Sequence, residues 1–406
     1  MDVPVAAAAR ALAAGDPLAA LKSVALRDDA PALALRGIAM AQLGDLARAR
    51  ALLRRAVRAF DPRDAVARAR CVVAEAEIAL VSRDLGRPMQ ALAAARSTLE
   101  ARGDRTNAAH AGYIEARRLL LVGQLDEAQQ TLEGIDLETL TPASRAGYCL
   151  VAAGIALRRI ETKPARDALA RAAGAARAAG IPALMTEVDQ ARRALEAPAA
   201  RLIVQQQERL VRLVEVEALL ASDTLVVDAC RNSLRAGKLK VPLSGRPVLF
   251  ALIRVLAEAW PEDVARETLL LRAFRVRHAD ESQRARLRVE IGRLREAVKP
   301  LAALRATKRG FALLPRTAGA VAVLAPPVEG DHAEVLALLA DGEAWSSSAL
   351  SLALGVSVRT AQRALDALAE AGKVDSFGRG RACRWIAART PGFPTSLLLP
   401  AAGPTG

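Results

Sequence analysis

A short punctuation mark recurs through the first half of the chain, and it constrains the fold more than any other feature. A turn residue is followed five positions later by alanine at Gly15 and Ala20, Gly44 and Ala49, Gly86 and Ala91, Gly123 and Ala128, and more weakly at Lys163 and Ala168. After the first, these anchors lie 42, 37 and 40 residues apart, close to the periods of helix-hairpin repeats. A single hairpin has nothing to cover its own apolar face, so successive hairpins must stack into a curved solenoid. The expectation is a helical repeat domain over residues 1–197, closed by Ala197-Pro198-Ala199-Ala200. Aromatic residues are only 3% of the 406, which suits helices packed on Ala, Leu and Val. That length leaves room for two or three domains.

Residues 280–316 carry a different pattern. Leu287, Ile291, Leu294 and Val298 recur at spacings of four, three and four, which puts one apolar stripe of a helix against a core. Between Arg284 and Arg316 stand ten Lys and Arg residues against two acids, Glu290 and Glu296. Such a face repels itself unless phosphates neutralise it. The face opposite the stripe shows Arg286, Val289, Gly292 and Arg293, an exposed valine beside a guanine-competent arginine. Net charge follows the same division: +5 over residues 1–200 (28 basic, 23 acidic) and +9 over residues 201–406 (30 basic, 21 acidic).

The stretch before this helix predicts two more apolar helices, the first launched at Pro247, after short β-prone pieces at Leu225-Val226-Val227 and Leu239-Lys240-Val241. Three helices and a hairpin in this order resemble the OmpR/PhoB-type winged-helix domain. Its motifs correspond here to Val241–Leu243, Arg266-Glu267-Thr268-Leu269, Ile291-Gly292-Arg293-Leu294-Arg295 and Gly310-Phe311-Ala312-Leu313. The resemblance implies duplex DNA binding by residues 222–316, with Arg293 on a base, Val289 on a thymine methyl and Arg286 on the same face. Arg295 and Lys308 are expected as phosphate clamps that set register, with Arg309 beside them on the wing. In the first half, Gln42–Ala49 and Leu121–Ala128 resemble the inter-helix turn of tetratricopeptide repeats.

Residues 331–390 read as a second helix-turn-helix with a hairpin. Gly355 provides the tight turn and Ser357 caps the next helix, whose inner stripe is Val358, Ala361, Leu365 and Leu368. Ser357, Arg359, Thr360, Gln362 and Arg363 are then presented at its N-terminal end, and Arg379 and Arg381 at a glycine-rich hairpin tip. The pattern resembles bacterial MarR- or GntR-like winged helices, which implies DNA binding; protein docking or dimerisation is the other use of such a module.

Residues 198–221 are expected to form a linker helix with a partial apolar seam at Leu202, Gln206, Leu210, Leu213, Val216 and Leu220, packed on its own domain or paired in a homodimer. Residues 317–330 are expected as a linker and residues 391–406 as a disordered tail. Cys71, Cys149, Cys230 and Cys383 show no CxxC pair, and His110, His278 and His332 are equally scattered. No metal, cofactor or catalytic constellation is therefore expected. His278 precedes the basic helix as an idle or phosphate-touching residue. No Walker-type loop occurs, and no apolar run reaches the roughly 20 residues of a membrane span, so a soluble cytoplasmic protein is expected.

The expected architecture is mainly α: an α-helical-hairpin solenoid followed by two α+β winged-helix domains. The expected function is that of a bacterial, sequence-specific DNA-binding transcriptional regulator, with a protein or peptide partner at the repeats, which serve alternatively as spacer or dimerisation arm. The architecture is similar to that of regulators of the SARP group, where the DNA-binding module comes first. A non-catalytic scaffold using all three modules for protein contacts is the alternative.

Overall fold

The structure, a computed structural model, describes residues 2–82, 90–243, 246–274, 281–316, 319–327, 332–339, 344–378, 380 and 383–387. The described residues are mainly helical, with 18 α-helices and three small sheets. The chain divides into two compact units: Met1–Ala194 with Glu334–Gly406, and Leu195–Ala333 between them.

The first unit opens with helical hairpins: α1 (Val3–Ala13) with α2 (Pro17–Val24), α3 (Ala30–Gln42) with α4 (Leu46–Ala59), α5 (Ala65–Val81) with α6 (Gln90–Ala101), α7 (Arg105–Leu121) with α8 (Leu125–Glu133), and α9 (Pro142–Arg159) with α10 (Thr162–Ala179). Helix α11 (Pro182–Glu196) follows. Helix starts are set by aspartates: Asp16, Asp45 and Asp104 each accept the backbone N–H three residues on, at 2.9, 3.0 and 3.3 Å. Each satisfies one of the unpaired amides of a first turn. Gly44 turns the chain at φ +86°, a left-handed conformation glycine enters without strain. Ala20, Ala49, Ala128 and Ala168 are all buried, as the signature requires.

Two anchors differ. Ala91 is exposed, and Gly86 lies outside the described residues. In the last hairpin the turn residue is Ile160, at φ +62°, while Lys163 lies inside α10. Five residues beyond Ile160 stands the fully buried Ala165, so the pattern holds with an isoleucine where glycine is usual. A β-branched residue rarely occupies that region, and its identity concealed the turn.

The same unit takes in α16 (Ala333–Leu339), α17 (Ser347–Leu354), α18 (Val358–Glu370) and the strands β10 (Val374–Phe377) and β11 (Arg384–Ala387), numbered in chain order with the strands of the described residues. This module is docked on the repeats. Leu339, Trp345 and Trp385 belong to one continuous apolar cluster with Leu80, Leu92 and Ile114, and Arg384 Nε donates to the Ser82 carbonyl at 2.9 Å.

The second unit is built on a six-stranded sheet of order β2-β1-β9-β3-β4-β5. Its strands are β1 (Pro198–Val204), β2 (Gln207–Arg212), β3 (Leu225–Asp228), β4 (Ser233–Ala236), β5 (Leu239–Pro242) and β9 (Val321–Ala325). Residues 198–221 are thus a β-hairpin followed by a short helix, α12 (Leu213–Ala221), and the continuous linker helix is corrected. Gln205 and Gln206 take φ +48° and +66°, a two-residue reversal that pairs Val204 with Gln207. The proposed seam breaks up accordingly: Leu210 is exposed on β2 and Gln206 sits in the turn. Residues 317–330 are corrected likewise. Their centre is β9, buried at every position, antiparallel to β1 and parallel to β3.

On this sheet rests α13 (Pro247–Glu258), which packs with α14 (Arg266–Phe274) and α15 (Glu281–Val298), followed by the hairpin β7 (Ala302–Ala306) and β8 (Gly310–Pro315). The two-residue strand β6 (Val264–Ala265), between α13 and α14, pairs with β8. Three helices and a hairpin therefore stand in the order read from the sequence. Gly310 faces Ala265 across that pairing, and a Cβ there would lie 1.8 Å from the Val264 carbonyl oxygen.

Replacing Gly310 with alanine should force β6 away from β8 and destabilise the second unit by about 3 kcal/mol, read by chemical denaturation. Val323→Asp, harmless in a linker, should cost about as much by placing a carboxylate in the apolar core on one face of the sheet. Unchanged midpoints would remove β9 from the sheet.

Candidate nucleic-acid interface

Helix α15 is positioned by its apolar stripe. Leu287, Ile291, Leu294 and Val298 are all at or below 2% exposure, each contributing roughly 1.5–3 kcal/mol by leaving water, in a core with α13, α14 and the hairpin. The remaining face is turned outward. Arg284, Arg286, Arg288, Gly292 and Arg293 are exposed, and Val289 keeps 54% of its surface. A Cβ on Gly292 would meet nothing within 4 Å, so internal packing does not require glycine there.

Arg293 Nη1 donates to Glu290 at 2.8 Å. The Arg293 side chain is 65% exposed, whereas that of Glu290 is only 13% exposed. Glu290, the acid among the bases, holds Arg293 with its guanidinium turned outward. An open cleft of about 880 Å³ lies beside it, lined by Arg246 and Pro247 at the start of α13 and by Glu290, Gly292 and Arg293.

The hairpin tip is braced by α14. Arg266 donates to the carbonyls of Lys308 and Thr307 at 3.0 and 3.2 Å, and Thr307 Oγ1 donates to Asp263 at 2.5 Å. Lys308 and Arg309 are left exposed at the reversal, with Arg309 3.7 Å from Asp263. Arg295 is more tied than expected for a phosphate clamp. Its Nε donates to the Leu304 carbonyl at 3.1 Å and its guanidinium lies 5.8 Å from the Phe311 ring centre. Arg286 likewise stacks at 5.0 Å over Phe274. Reading the sequence placed Arg266 in a motif without its bracing role, because the partners are backbone carbonyls some 41 and 42 positions away.

In the C-terminal module Gly355 takes φ +64° and closes α17, and Ser357 Oγ accepts the Thr360 N–H at 3.1 Å to cap α18. Ser357, Arg359, Thr360 and Arg363 are exposed there. Gln362 is held by Ser347 at 2.7 Å and by Asp366 at 2.9 Å. The inner stripe of α18 is Ala361, Ala364, Leu365 and Leu368; Val358, expected within it, is 51% exposed. At the first turn of a helix that follows a tight cap, the chain enters at the rim of the core. Arg379, Arg381 and His278 lie outside the described residues.

One polar constellation escaped the sequence. His110 on α7, fully buried, has Nε2 3.0 Å from Glu77 Oε2 on α5 and Nδ1 3.0 Å from Ser144 Oγ on α9. Thr141 Oγ1 donates to the same hydroxyl at 3.1 Å. The three residues are spread over the chain, at separations of 33 and 34, and only stacking of successive hairpins brings them together. With Ser144 1% exposed, the cluster acts as a polar clamp across three helices. Beside it Tyr113, whose hydroxyl is pushed up to about 12 by burial, fills the space left by Gly147, where a Cβ would stand 2.7 Å from the phenol.

Among the described residues no group of three or more His, Cys, Asp or Glu could hold a metal ion. No helix there is long and apolar enough to cross a membrane. No family model, curated protein or solved structure matches the chain.

Glu77→Ala should strand the buried imidazole and cost about 1–3 kcal/mol, and Glu77→Gln, which keeps an acceptor, should cost less. Thermal unfolding of the two variants compares them directly; equal losses would remove the hydrogen bond as the cause.

Proposed function

We propose that this chain is a sequence-specific DNA-binding transcriptional regulator whose second unit acts as an OmpR/PhoB-type winged helix. The observation that carries the reading is the outward face of α15: Val289, Gly292 and Arg293 exposed together, opposite a fully buried stripe. An exposed valine and a mid-helix glycine, the latter costing roughly 1 kcal/mol relative to alanine, serve no packing purpose at those positions. In a major groove each has one. Arginine reads guanine O6 and N7 with two hydrogen bonds, a methyl meets thymine, and glycine admits the backbone to the groove wall.

Lys308 and Arg309 at the braced hairpin tip supply sequence-independent phosphate contacts, with their positions fixed in advance by Arg266. The C-terminal module, through Ser357, Arg359, Thr360 and Arg363, provides a second basic helix start of the same kind, and the helical repeats on which it is docked receive a protein or peptide input.

The test is binding of the full-length protein to duplex from upstream of its own coding sequence and to random duplex, titrated in salt. Preference for one sequence with a steep salt dependence is expected. Arg293→Ala should cost about 1–3 kcal/mol on preferred DNA and flatten the preference, whereas Lys308→Ala should weaken all sequences alike and lower the salt slope by about one. Gly292→Ala should stabilise the helix by roughly 1 kcal/mol and still weaken binding. Absence of binding at low salt would favour the reading of a scaffold that holds proteins alone.

A further inference from the structure

The first hairpins pack together through α1, α2 and α3 but leave a pocket beside that contact. The apolar core of α1–α3, with Val5 and Leu35, and that of α3–α5, with Leu53 and Cys71, are two clusters that meet at Ile38. Between them lies a cavity of about 330 Å³. It falls at the lower end of the roughly 300–1,000 Å³ of small-molecule sites.

Its lining says what it would hold. The floor is Leu35, Ile38, Phe60 and Val73, with Cys71, whose thiol burial pushes up to about 12 and keeps protonated. The polar groups of the rim are already matched. Arg27 is paired with both Asp2 and Asp29, and Arg70 with Asp104 at 2.7 Å, while Asn107 donates to the same carboxylate at 2.9 Å. No unpaired charge among these awaits a counter-charge, so a charged ligand would lose its hydration for no partner. A volume this small also suits a compact molecule over a peptide segment.

We propose that this cavity is a binding site for a small, uncharged, largely apolar molecule, held between α1, α3, α5 and α7. The site stands apart from the DNA-binding reading and does not depend on it.

The full-length protein is titrated with N-phenyl-1-naphthylamine, a neutral aromatic probe whose fluorescence rises on leaving water. Saturable binding of one probe per chain is expected. Ala34→Phe, which fills the cavity from its wall, should weaken the probe by at least about tenfold with an unchanged circular-dichroism spectrum; Ala67→Leu serves if that variant does not fold. Phe377→Ser, at an exposed apolar position elsewhere, should leave binding intact. No saturable binding, equal binding by a folded cavity-filled variant, or loss in Phe377→Ser would overturn the proposal. Stronger cavity-dependent binding of the anionic 8-anilinonaphthalene-1-sulfonate would overturn the commitment to an uncharged ligand.

Discussion

Strand β9 holds the second unit together. It hydrogen-bonds to β1 on one side and to β3 on the other, so it joins a hairpin that precedes the helices to strands that also precede them. The chain must therefore return to its own beginning before the sheet is complete. On the completed sheet rests α13, which packs with α14 and α15 in one core. A parallel pair cannot be closed by a short turn, and the whole helical segment between β3 and β9 is the connection. The candidate interface thus depends on backbone pairing far from its own side chains.

The arginines of this unit divide by what holds them. Arg266 and Arg295 lie over Phe311 at 5.5 and 5.8 Å and give hydrogen bonds to backbone carbonyls. They fix the hairpin to α14 and α15. Arg293, Lys308 and Arg309 remain exposed, the first touching only a neighbouring glutamate on its own helix among the contacts described above. A planar guanidinium with several donors can tie a scaffold through some and stack through its face, which is why one residue type serves both uses. For a ligand such as DNA, bracing lowers the ordering cost of binding.

The interior of the first unit differs from one end of the stack to the other. Around α5, α7 and α9 the space is filled by Tyr113 and by the Glu77–His110–Ser144 clamp. Between α1, α3 and α5 it is left open. Buried hydrogen bonds fix the register between helices, because a slip leaves donors unmatched. At the pocket the hydrogen-bonded groups lie at the rim and are satisfied there, so the apolar walls behind them are not drawn closed.

Periodicity was legible from the residues alone: the buried alanines five positions after the turns at Gly15, Gly44 and Gly123, the stripe of α15, and the capped turn at Gly355 and Ser357. Each is written within a few adjacent residues, so local geometry suffices. The residues of the exposed face of α15 followed from that stripe by subtraction. Residues 198–221 show the limit. Their leucines and valines fit a helix as well as a strand, and the outcome turned on β9, more than a hundred positions later, which offers β1 a row of hydrogen-bond partners. The five residues of β9 themselves carry an apolar run too short to declare its form. Docking of the C-terminal module, the bracing of the hairpin tip by Arg266 and the buried histidine clamp were likewise decided by tertiary structure. Their partners are distant in the chain, and a sequence specifies what a side chain can pair with before folding determines which partner reaches it.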